Sequence, residues 1–270
     1  MNFVCPKCSG KLNISPTGTA VCENGHCYDR SKYGYYNLLM SNEGGVHGDN
    51  QQMVKARRTF LESGNYSPLR EELARLSAKY FTGGAFVDIG CGEGYYTERV
   101  VDALSESDKE LSPSGFDISK EAVRYAAKRC HSASFAVASA YKMPIQTGSV
   151  AMAMNVFSPL APAETARILR TGGVFIMAIP GEEHLFGLKR ALYKTPYKNQ
   201  VKDTDIDGFK LIDKAHIRYP LSLDSSEKIS SLFMMTPYAY RTPKESAQRL
   251  LNMTELSCEA EFIILVYERI

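Results

Sequence analysis

The sequence predicts an α/β domain with a mostly parallel β-sheet, preceded by a small metal-binding segment. From Ala85 onward, short apolar runs alternate with stretches of helical character, as expected of βαβ units. Three closely spaced glycines follow the first of those runs, and four of the seven cysteines lie within the first 27 residues. The length of 270 residues suits one such domain with a small appendage.

The composition excludes several other classes of protein. Hydrophobic residues at 44% and charged residues at 23% are typical of a soluble globular chain, so disorder, collagen and a coiled-coil rod are ruled out. The sequence has no apolar run of about 18 residues, and Met1 to Gly10 lacks the pattern of a signal peptide. We therefore expect a cytoplasmic protein. The formal charge of +2 permits nucleic-acid binding without requiring it.

The first 40 residues are predicted to form a zinc-binding domain. Cys5 and Cys8 are separated by two residues, and Cys22 with His26 offers a second pair. Two closely spaced pairs of sulfur and nitrogen ligands are typical of structural zinc sites, and four protein ligands leave no open position for catalysis. Cys27 follows His26 directly, so the spacing allows either residue to be the fourth ligand. A segment this short cannot bury a large core, and metal binding would supply most of its folding free energy.

Residues 41–80 are predicted to be a linker followed by helices. The linker is expected over Ser41 to Asn50, which is rich in Gly, Ser and Asn. Apolar residues recur at helical spacing from Gln51 to Leu61, with Arg57 and Arg58 between them. Those arginines are either phosphate contacts or part of a solvated helix face. A second helix is expected after Pro68, because Leu and Tyr residues then repeat every three or four positions: Leu69, Leu73, Leu76 and Tyr80.

Residues 81–270 are predicted to form the α/β domain. The last strand candidate, Glu261 to Tyr267, contains consecutive branched residues and should be buried on both faces. The segment from Lys189 to Tyr219 gives no clear pattern. The other predicted strands are Ala85 to Ile89, Gly115 to Ile118, Ser134 to Ala138, Val150 to Val156 and Val174 to Ile179, and the predicted helices between them are Tyr95 to Leu104, Lys120 to Arg129 and Pro162 to Leu169.

The glycine loop after the first strand favours a methyl donor over a dinucleotide. Gly90, Gly92 and Gly94 lie between a strand and a helix and allow close approach of a ligand to the backbone. The dinucleotide fingerprint GxGxxG would place its third glycine at Tyr95, so NAD is disfavoured. The segment also lacks the GKS or GKT of a phosphate-binding loop.

Two acidic residues near this loop fit S-adenosylmethionine. Asp88 precedes the glycines, and Asp117 is the acidic residue of the next strand. The donor carries an ammonium and a sulfonium but no phosphate, so its site needs carboxylates, and Asp117 could accept hydrogen bonds from the ribose hydroxyls. The alternative is that Asp88 and Asp117 only cap neighbouring helices.

Taken together, these motifs resemble the RlmA family of bacterial 23S ribosomal RNA guanine-N1 methyltransferases. The resemblance covers nearly the whole chain. It is carried by the CPxC start, the CxxxH pair, Gly34-Tyr-Tyr-Asn-Leu-Leu, Ala56-Arg-Arg-x-Phe-Leu-x-x-Gly-x-Tyr-x-Pro-Leu, Asp88-Ile-Gly-Cys-Gly-Glu-Gly-Tyr-Tyr-Thr and Pro180-Gly-x-x-His-Leu.

The resemblance implies a fold and a set of site residues. It implies a zinc domain that recognises an RNA hairpin, a class I S-adenosylmethionine-dependent methyltransferase domain with a seven-stranded, mostly parallel sheet, and a homodimer. Tyr66 and His184 would join the donor site, although a core tyrosine and a helix-cap or surface histidine are the alternatives. The positions that the resemblance matches are Cys5, Cys8, Cys22 and His26 for zinc and Tyr66, Gly92, Glu93 and His184 for the donor.

The implied reaction is methylation of N1 of a guanine in a hairpin loop of 23S ribosomal RNA. Asn155 lies where a class I fold presents its acceptor, and we expect its amide to orient the guanine edge. Some relatives carry a Lys/Arg-rich linker, whereas this chain has Gly44-Gly-Val-His-Gly there, which would reduce RNA affinity. The alternatives are a methyltransferase of the same fold acting on a small molecule and a zinc-ribbon RNA-binding module without turnover. Aromatic residues that could stack on the base, or simply pack in the core, are Tyr35, Tyr36, Tyr95, Tyr96 and Phe157.

Overall fold

The computed structural model describes residues 2–40, 48–201 and 205–270. Most of the predicted linker, from Ser41 to His47 and including Gly44-Gly-Val-His, lies outside the described residues. Within the described ranges, no helix is both long enough and apolar enough to cross a membrane.

A small antiparallel sheet near the N-terminus precedes the main sheet of the protein. Its three strands are β1 (Asn13–Ile14), β2 (Ala20–Val21) and β3 (Cys27–Tyr28). The strands of the main sheet, in chain order, are β4 (Tyr35–Asn37), β5 (Gly84–Ile89), β6 (Leu111–Asp117), β7 (Ser134–Val137), β8 (Val150–Val156), β9 (Leu169–Pro180), β10 (Phe209–Leu223) and β11 (Leu256–Arg269).

The main sheet has the order β10-β11-β9-β8-β5-β6-β7-β4. Strand β11 is antiparallel to both of its neighbours, and the other pairs are parallel. The glycine loop leaves β5 in the middle of the sheet, where its neighbours β6 and β8 also end. The carboxyl ends of all three strands therefore meet at one edge, which is where open α/β sheets bind ligands.

Strand β4 is an eighth strand, added to the seven that the fold was expected to contain. It pairs in parallel with the edge strand β7, with Tyr35 opposite Phe135. Both Tyr35 and Tyr36 are buried, one in each of the two core clusters on either side of the sheet. The end of the predicted 1–40 domain is thus built into the main sheet, which fixes the small sheet beside the large domain.

Helices cover the faces of the sheet. Helix α1 (Gln51–Glu62) begins at Asn50, whose side chain accepts a hydrogen bond from the N–H of Met53. A 3-10 turn spans Pro237–Tyr240. The remaining helices are α2 (Ser67–Tyr80), α3 (Tyr95–Ser105), α4 (Lys120–Arg129), α5 (Pro162–Ile168), α6 (Phe186–Leu192), α7 (Ser226–Met234) and α8 (Lys244–Leu251).

The predicted strands and helices are all present, with ends shifted by a few residues. The largest omission is β10, which lies partly in the segment from Lys189 to Tyr219 that gave no clear pattern. Its side chains alternate between partly covered and exposed because it forms an edge of the sheet. An edge strand with polar residues on its open face has a weak apolar signal.

Candidate active site and metal centre

Four side chains of the N-terminal segment converge on one point. Cys5 Sγ and Cys22 Sγ lie 3.5 Å and 3.4 Å from His26 Nδ1, and Cys8 Sγ lies 3.6 Å from Cys22 Sγ. All four potential ligand atoms are within 4.8 Å of one another. Because four ligands at about 2.3 Å from a tetrahedral zinc are roughly 3.8 Å apart, the three thiols and one imidazole fit this ion.

The structure separates His26 from its neighbour Cys27. Cys27 is exposed, and its Sγ donates to the carbonyl of Gly25. The described metal cluster contains His26 and not Cys27, which favours His26 as the fourth ligand. The three remaining cysteines, Cys91, Cys130 and Cys258, are buried thiols.

The glycine loop is open on one side and packed on the other. Gly90, Gly92 and Gly94 have φ of 72°, 53° and 83°, which glycine adopts without strain. A Cβ on Gly90 would lie 2.5 Å from Ser158 Oγ, so this glycine allows the loop after β8 to pack against it. A Cβ on Gly92 would meet no atom of the described residues within 4 Å. The backbone at Gly92 therefore faces a space that a ligand can enter.

Asp117 borders the same loop. Its Oδ2 accepts the N–H of Gly92 at 3.0 Å, and its Oδ1 accepts the N–H of Ser119 at 2.7 Å. Each carboxylate oxygen can accept a further hydrogen bond, so Asp117 can still bind ribose hydroxyls. Burial raises the pKa of Asp117, while these two backbone donors lower it.

Asp88 lies beneath the loop. Its side chain is 2% exposed, and its Oδ2 accepts the hydroxyl of Thr97, in the first turns of α3, at 2.5 Å. Burial raises the pKa of Asp88 to about 7, against a smaller lowering by Thr97. The contact ties the end of β5 to α3, so Asp88 holds the loop from below.

Glu93 carries a buried oxygen that can accept a hydrogen bond. The residue is 2% exposed, and its Oε2 accepts a hydrogen bond from Arg129 at 2.8 Å. Its Oε1 has no hydrogen-bond partner among the described residues, and neither has the hydroxyl of Tyr96. A buried polar atom without a partner is unfavourable, so a ligand that donates a hydrogen bond to it would be stabilised.

Tyr66 and His184 are brought together although 118 positions separate them. The Tyr66 hydroxyl lies 3.3 Å from His184 Nε2, and the N–H of Glu261 donates to His184 Nδ1 at 3.3 Å. Because Nδ1 accepts, Nε2 carries the proton and donates to Tyr66. Burial lowers the pKa of His184 to about 3, so the imidazole is neutral. Tyr66 is also a core residue, packed edge to face against Phe262.

Asn155 ends the buried part of β8. It is 2% exposed, and its Nδ2 donates to the carbonyl of Pro159 at 3.3 Å. We call residues 155–159 the acceptor loop. The hydroxyl of Ser158 in this loop donates to the carbonyl of Ile89 at 2.8 Å, so the acceptor loop is joined to the start of the glycine loop.

Sequence reasoning missed the residues that hold these loops in place. Ser158 acts through a contact with Ile89, 69 positions away, and Glu261 accepts the N–H of Glu183 through its side chain. Neither residue lies in a motif, because each acts through tertiary structure. The one local sequence signal for these contacts was the glycine at position 181. A side chain there would collide with the Glu261 carboxylate.

The two arginines of α1 differ in their surroundings. Arg57 forms an ion pair with Asp49 and lies near Asp117, whose pKa it lowers. Arg58 is paired with Glu62 and lies 4.8 Å from the centre of the Tyr125 ring. Arg57 therefore lies near Asp117 and the glycine loop, whereas Arg58 packs against Tyr125 of α4.

Comparison with known proteins identifies the family. The chain is 34% identical over 258 residues to the 23S rRNA (guanine(748)-N(1))-methyltransferase of Streptomyces fradiae, covering 92% of this chain and 90% of that protein. The chain belongs to the RlmA family of 23S rRNA guanine-N1 methyltransferases. Two further relatives carry names that mark this activity as unproven for them. The Bacillus subtilis (strain 168) protein YxjB is 27% identical over 98% of this chain and 96% of its own length, and a Micromonospora griseorubida protein is 31% identical over 93% and 91%.

Two family models match separate parts of the RlmA chain. The model "RlmA, N-terminal", a zinc ribbon, matches residues 3–43, which include the four clustered metal ligands. The model "Methyltransferase domain" matches residues 86–173, from β5 into β9, which include the glycine loop and Asp117. The fold is that of a class I methyltransferase with an N-terminal zinc ribbon.

Proposed function

We propose that this protein transfers the methyl group of S-adenosylmethionine to N1 of a guanine in a hairpin loop of 23S ribosomal RNA. The observation that carries the proposal is the similarity over nine tenths of the chain to a relative named for this reaction. The open space at Gly92, bordered by the Asp117 carboxylate, supports it independently.

The donor would lie along the glycine loop. When bound, it supplies a methyl group on a positively charged sulfur. Asp117 would accept hydrogen bonds from the ribose hydroxyls, and Glu93 Oε1 is suited to accept one from the ammonium group. Asp88 would hold the loop from below, with Gly90 and Gly94 shaping its course.

Tyr66 and His184 would close the donor site from the side of α2 and β11. With a pKa of about 3, His184 is neutral and bears its proton on Nε2, so it acts as a hydrogen-bond donor rather than as a cation. A neutral imidazole avoids repelling the cationic sulfur of the donor. Asn155 would set the acceptor loop through its bond to Pro159 and orient the edge of the guanine.

Zinc would be held by the cluster of three thiolates and one imidazole. Tyr28 donates to or accepts from Cys5 Sγ at 3.2 Å, which adds a contact around the cluster. The bound ion would fix the small sheet, and β4 would transmit that order to the main sheet.

A cationic surface beside the ribbon supports an RNA substrate over a small molecule. Lys32, Arg124 and Lys128 lie 5.2, 5.5 and 4.6 Å from the centre of the Tyr33 ring. These cations lower the pKa of Tyr33, Lys32 most strongly, which indicates a positive local potential. Positive charge interleaved with aromatic rings suits a nucleic-acid strand. The cationic surface consists of Lys32, Tyr33, Arg58, Arg124, Tyr125 and Lys128, partly balanced by Glu62 and Glu121.

The test is transfer of labelled methyl to 23S RNA that lacks the modification. A methyl group on guanine N1 blocks Watson-Crick pairing, so reverse transcription should stop at the modified base, and nucleoside mass spectrometry should show N1-methylguanosine. Label in a small molecule and none in RNA would support the small-molecule alternative. Donor binding without any transfer would support a binding module without turnover.

We also propose that the protein acts as a homodimer in the cytoplasm, where ribosomal RNA is modified. Sedimentation equilibrium of the zinc-loaded protein, with and without an RNA hairpin, tests the assembly. A single species at the 30.0 kDa mass of one chain under both conditions would contradict the dimer.

A further inference from the structure

One aromatic side chain at the active-site edge remains exposed. Of the five aromatic residues that could stack on a base, Tyr35, Tyr36 and Tyr95 are buried and Tyr96 is partly buried against the core, whereas Phe157 is 43% exposed. Burying an apolar ring is favourable, so a ligand that covers the exposed part of Phe157 would be stabilised. Phe157 also has φ of 57°, which is uncommon for a residue other than glycine, and such strain concentrates at functional sites.

The acceptor loop is built to hold Phe157 in this position. The N–H of Phe157 donates to the carbonyl of Ala178 on β9, and the next residue, Ser158, donates to Ile89 on β5. The Asn155 side chain closes the loop by donating to Pro159. The loop is therefore anchored to both neighbouring strands, with the exposed ring between its anchors.

The ring is supported from behind by two other rings. The centres of Phe157 and His184 are 6.4 Å apart, with their planes only 20° from parallel, and Phe262 lies 5.6 Å away. Phe262 is fully buried, and His184 is held by hydrogen bonds at both ring nitrogens. A flat apolar surface with rigid backing loses little conformational entropy when a planar ligand stacks on it.

The position also fits the reaction. Ser158 packs against Gly90, so Phe157 is one residue from direct contact with the donor loop. The base must leave its stack to reach a donor at the carboxyl ends of the strands, and a protein that extrudes a base offers it an aromatic surface in exchange.

We infer that Phe157 is the stacking platform for the target guanine. This rests on the proposed function, because it assigns the acceptor subsite of the same reaction. Stacking on an aromatic ring contributes enough for its loss to reduce transfer to RNA roughly 5- to 150-fold in kcat/KM.

The experiment compares Phe157→Leu with Phe157→Trp on an RNA hairpin that the unaltered protein methylates. Leu and Trp carry the same backbone strain at φ of 57°, so the pair isolates the aromatic ring. We expect the Leu variant to lose 5- to 150-fold in kcat/KM, about the range given by stacking, and the Trp variant to remain close to the unaltered protein. Calorimetry with S-adenosylhomocysteine should give the same Kd for all three. Tyr240→Leu, which removes another exposed aromatic ring, is the matched control and should transfer methyl normally.

A direct readout separates stacking from a structural effect. With 2-aminopurine in place of the mapped guanine, binding of the unaltered and Trp proteins should quench the fluorescence of the unstacked base, and the Leu variant should not. Normal kcat/KM in the Leu variant, or equal losses in the Leu and Trp variants, would overturn the role of Phe157. Failure of the unaltered protein to methylate any RNA would instead overturn the proposed function.

Discussion

The contact between Gly90 and Ser158 joins the donor loop to the acceptor loop, and a double-mutant cycle measures it. Gly90→Ala places a methyl group 2.5 Å from Ser158 Oγ at φ of 72°. The left-handed backbone costs an alanine about 1–2 kcal/mol, and overpacking adds about 1–3 kcal/mol. We therefore expect the free energy of unfolding to fall by roughly 2–5 kcal/mol.

Ser158→Gly should relieve the steric part of this cost. The single variant Ser158→Gly loses the hydrogen bond to Ile89, and its glycine adds backbone entropy to the unfolded chain. Together these two effects should lower the free energy of unfolding by about 1–2.5 kcal/mol. In the double variant the methyl group added at position 90 would no longer meet a side chain. The loss of unfolding free energy in the double variant should therefore be smaller than the sum of the two single losses by about 1–3 kcal/mol.

Urea unfolding of the zinc-loaded single and double variants, followed by circular dichroism, gives the coupling energy. Calorimetry with S-adenosylhomocysteine gives donor affinity for the same proteins. We expect Gly90→Ala to lower the affinity for S-adenosylhomocysteine, and we expect the added Ser158→Gly substitution to restore part of that affinity. Additive effects within about 0.5 kcal/mol would refute the claim that the two loops are packed against each other.

Four further outcomes follow from the site. Gly92→Ala, whose methyl group would meet no atom of the described residues within 4 Å, should cost only about 1–2 kcal/mol of unfolding free energy yet lower S-adenosylhomocysteine affinity in calorimetry; normal affinity would place the donor elsewhere. Cys22→Ser should lower zinc, measured by mass spectrometry, below one ion per chain and expose residues 1–40 to protease, whereas Cys27→Ser should change neither; zinc loss in the second variant would make Cys27 a zinc ligand in place of His26. The pKa of Asp88, about 7, is raised above its ordinary 3.8, so its contribution to stability is complete below pH 3.8 and is lost as pH rises through 7; from pH 6.5 to 8.5 urea unfolding should show a remaining loss on the order of 1 kcal/mol that Asp88→Asn lacks, and equal slopes would contradict a buried carboxyl. Asn155→Ala should lower kcat for RNA methylation and leave donor affinity unchanged, and weakened donor binding would argue against a role at the acceptor.

The elements that the sequence predicted well are those with a local signal. The strand before the glycine loop is an apolar run, interrupted by Asp88 and followed by turn residues, so β5 and the loop could be predicted together. The metal ligands follow from spacing, although spacing left His26 and Cys27 open until the geometry favoured His26.

The parts that were not predicted depend on contacts between distant residues. Strand β4 lies in a segment that resembled part of the ribbon, and its pairing with β7 depends on the finished edge of the sheet. The interaction between Tyr66 and His184 was expected only from the family resemblance. Phe157 stood among five candidate aromatic residues until their burial distinguished them. A sequence states which side chains are present, but tertiary packing decides which of them stay exposed.

The central claim is that the glycine loop and the carboxylate at the end of β6 hold the methyl donor. A crystal structure of the zinc-loaded protein with S-adenosylhomocysteine tests it most directly. We predict density along the backbone at Gly92, with the ribose hydroxyls on Asp117 and the ammonium group near Glu93. Density for the compound at another place, with this crevice filled by a different nucleotide, would contradict the account.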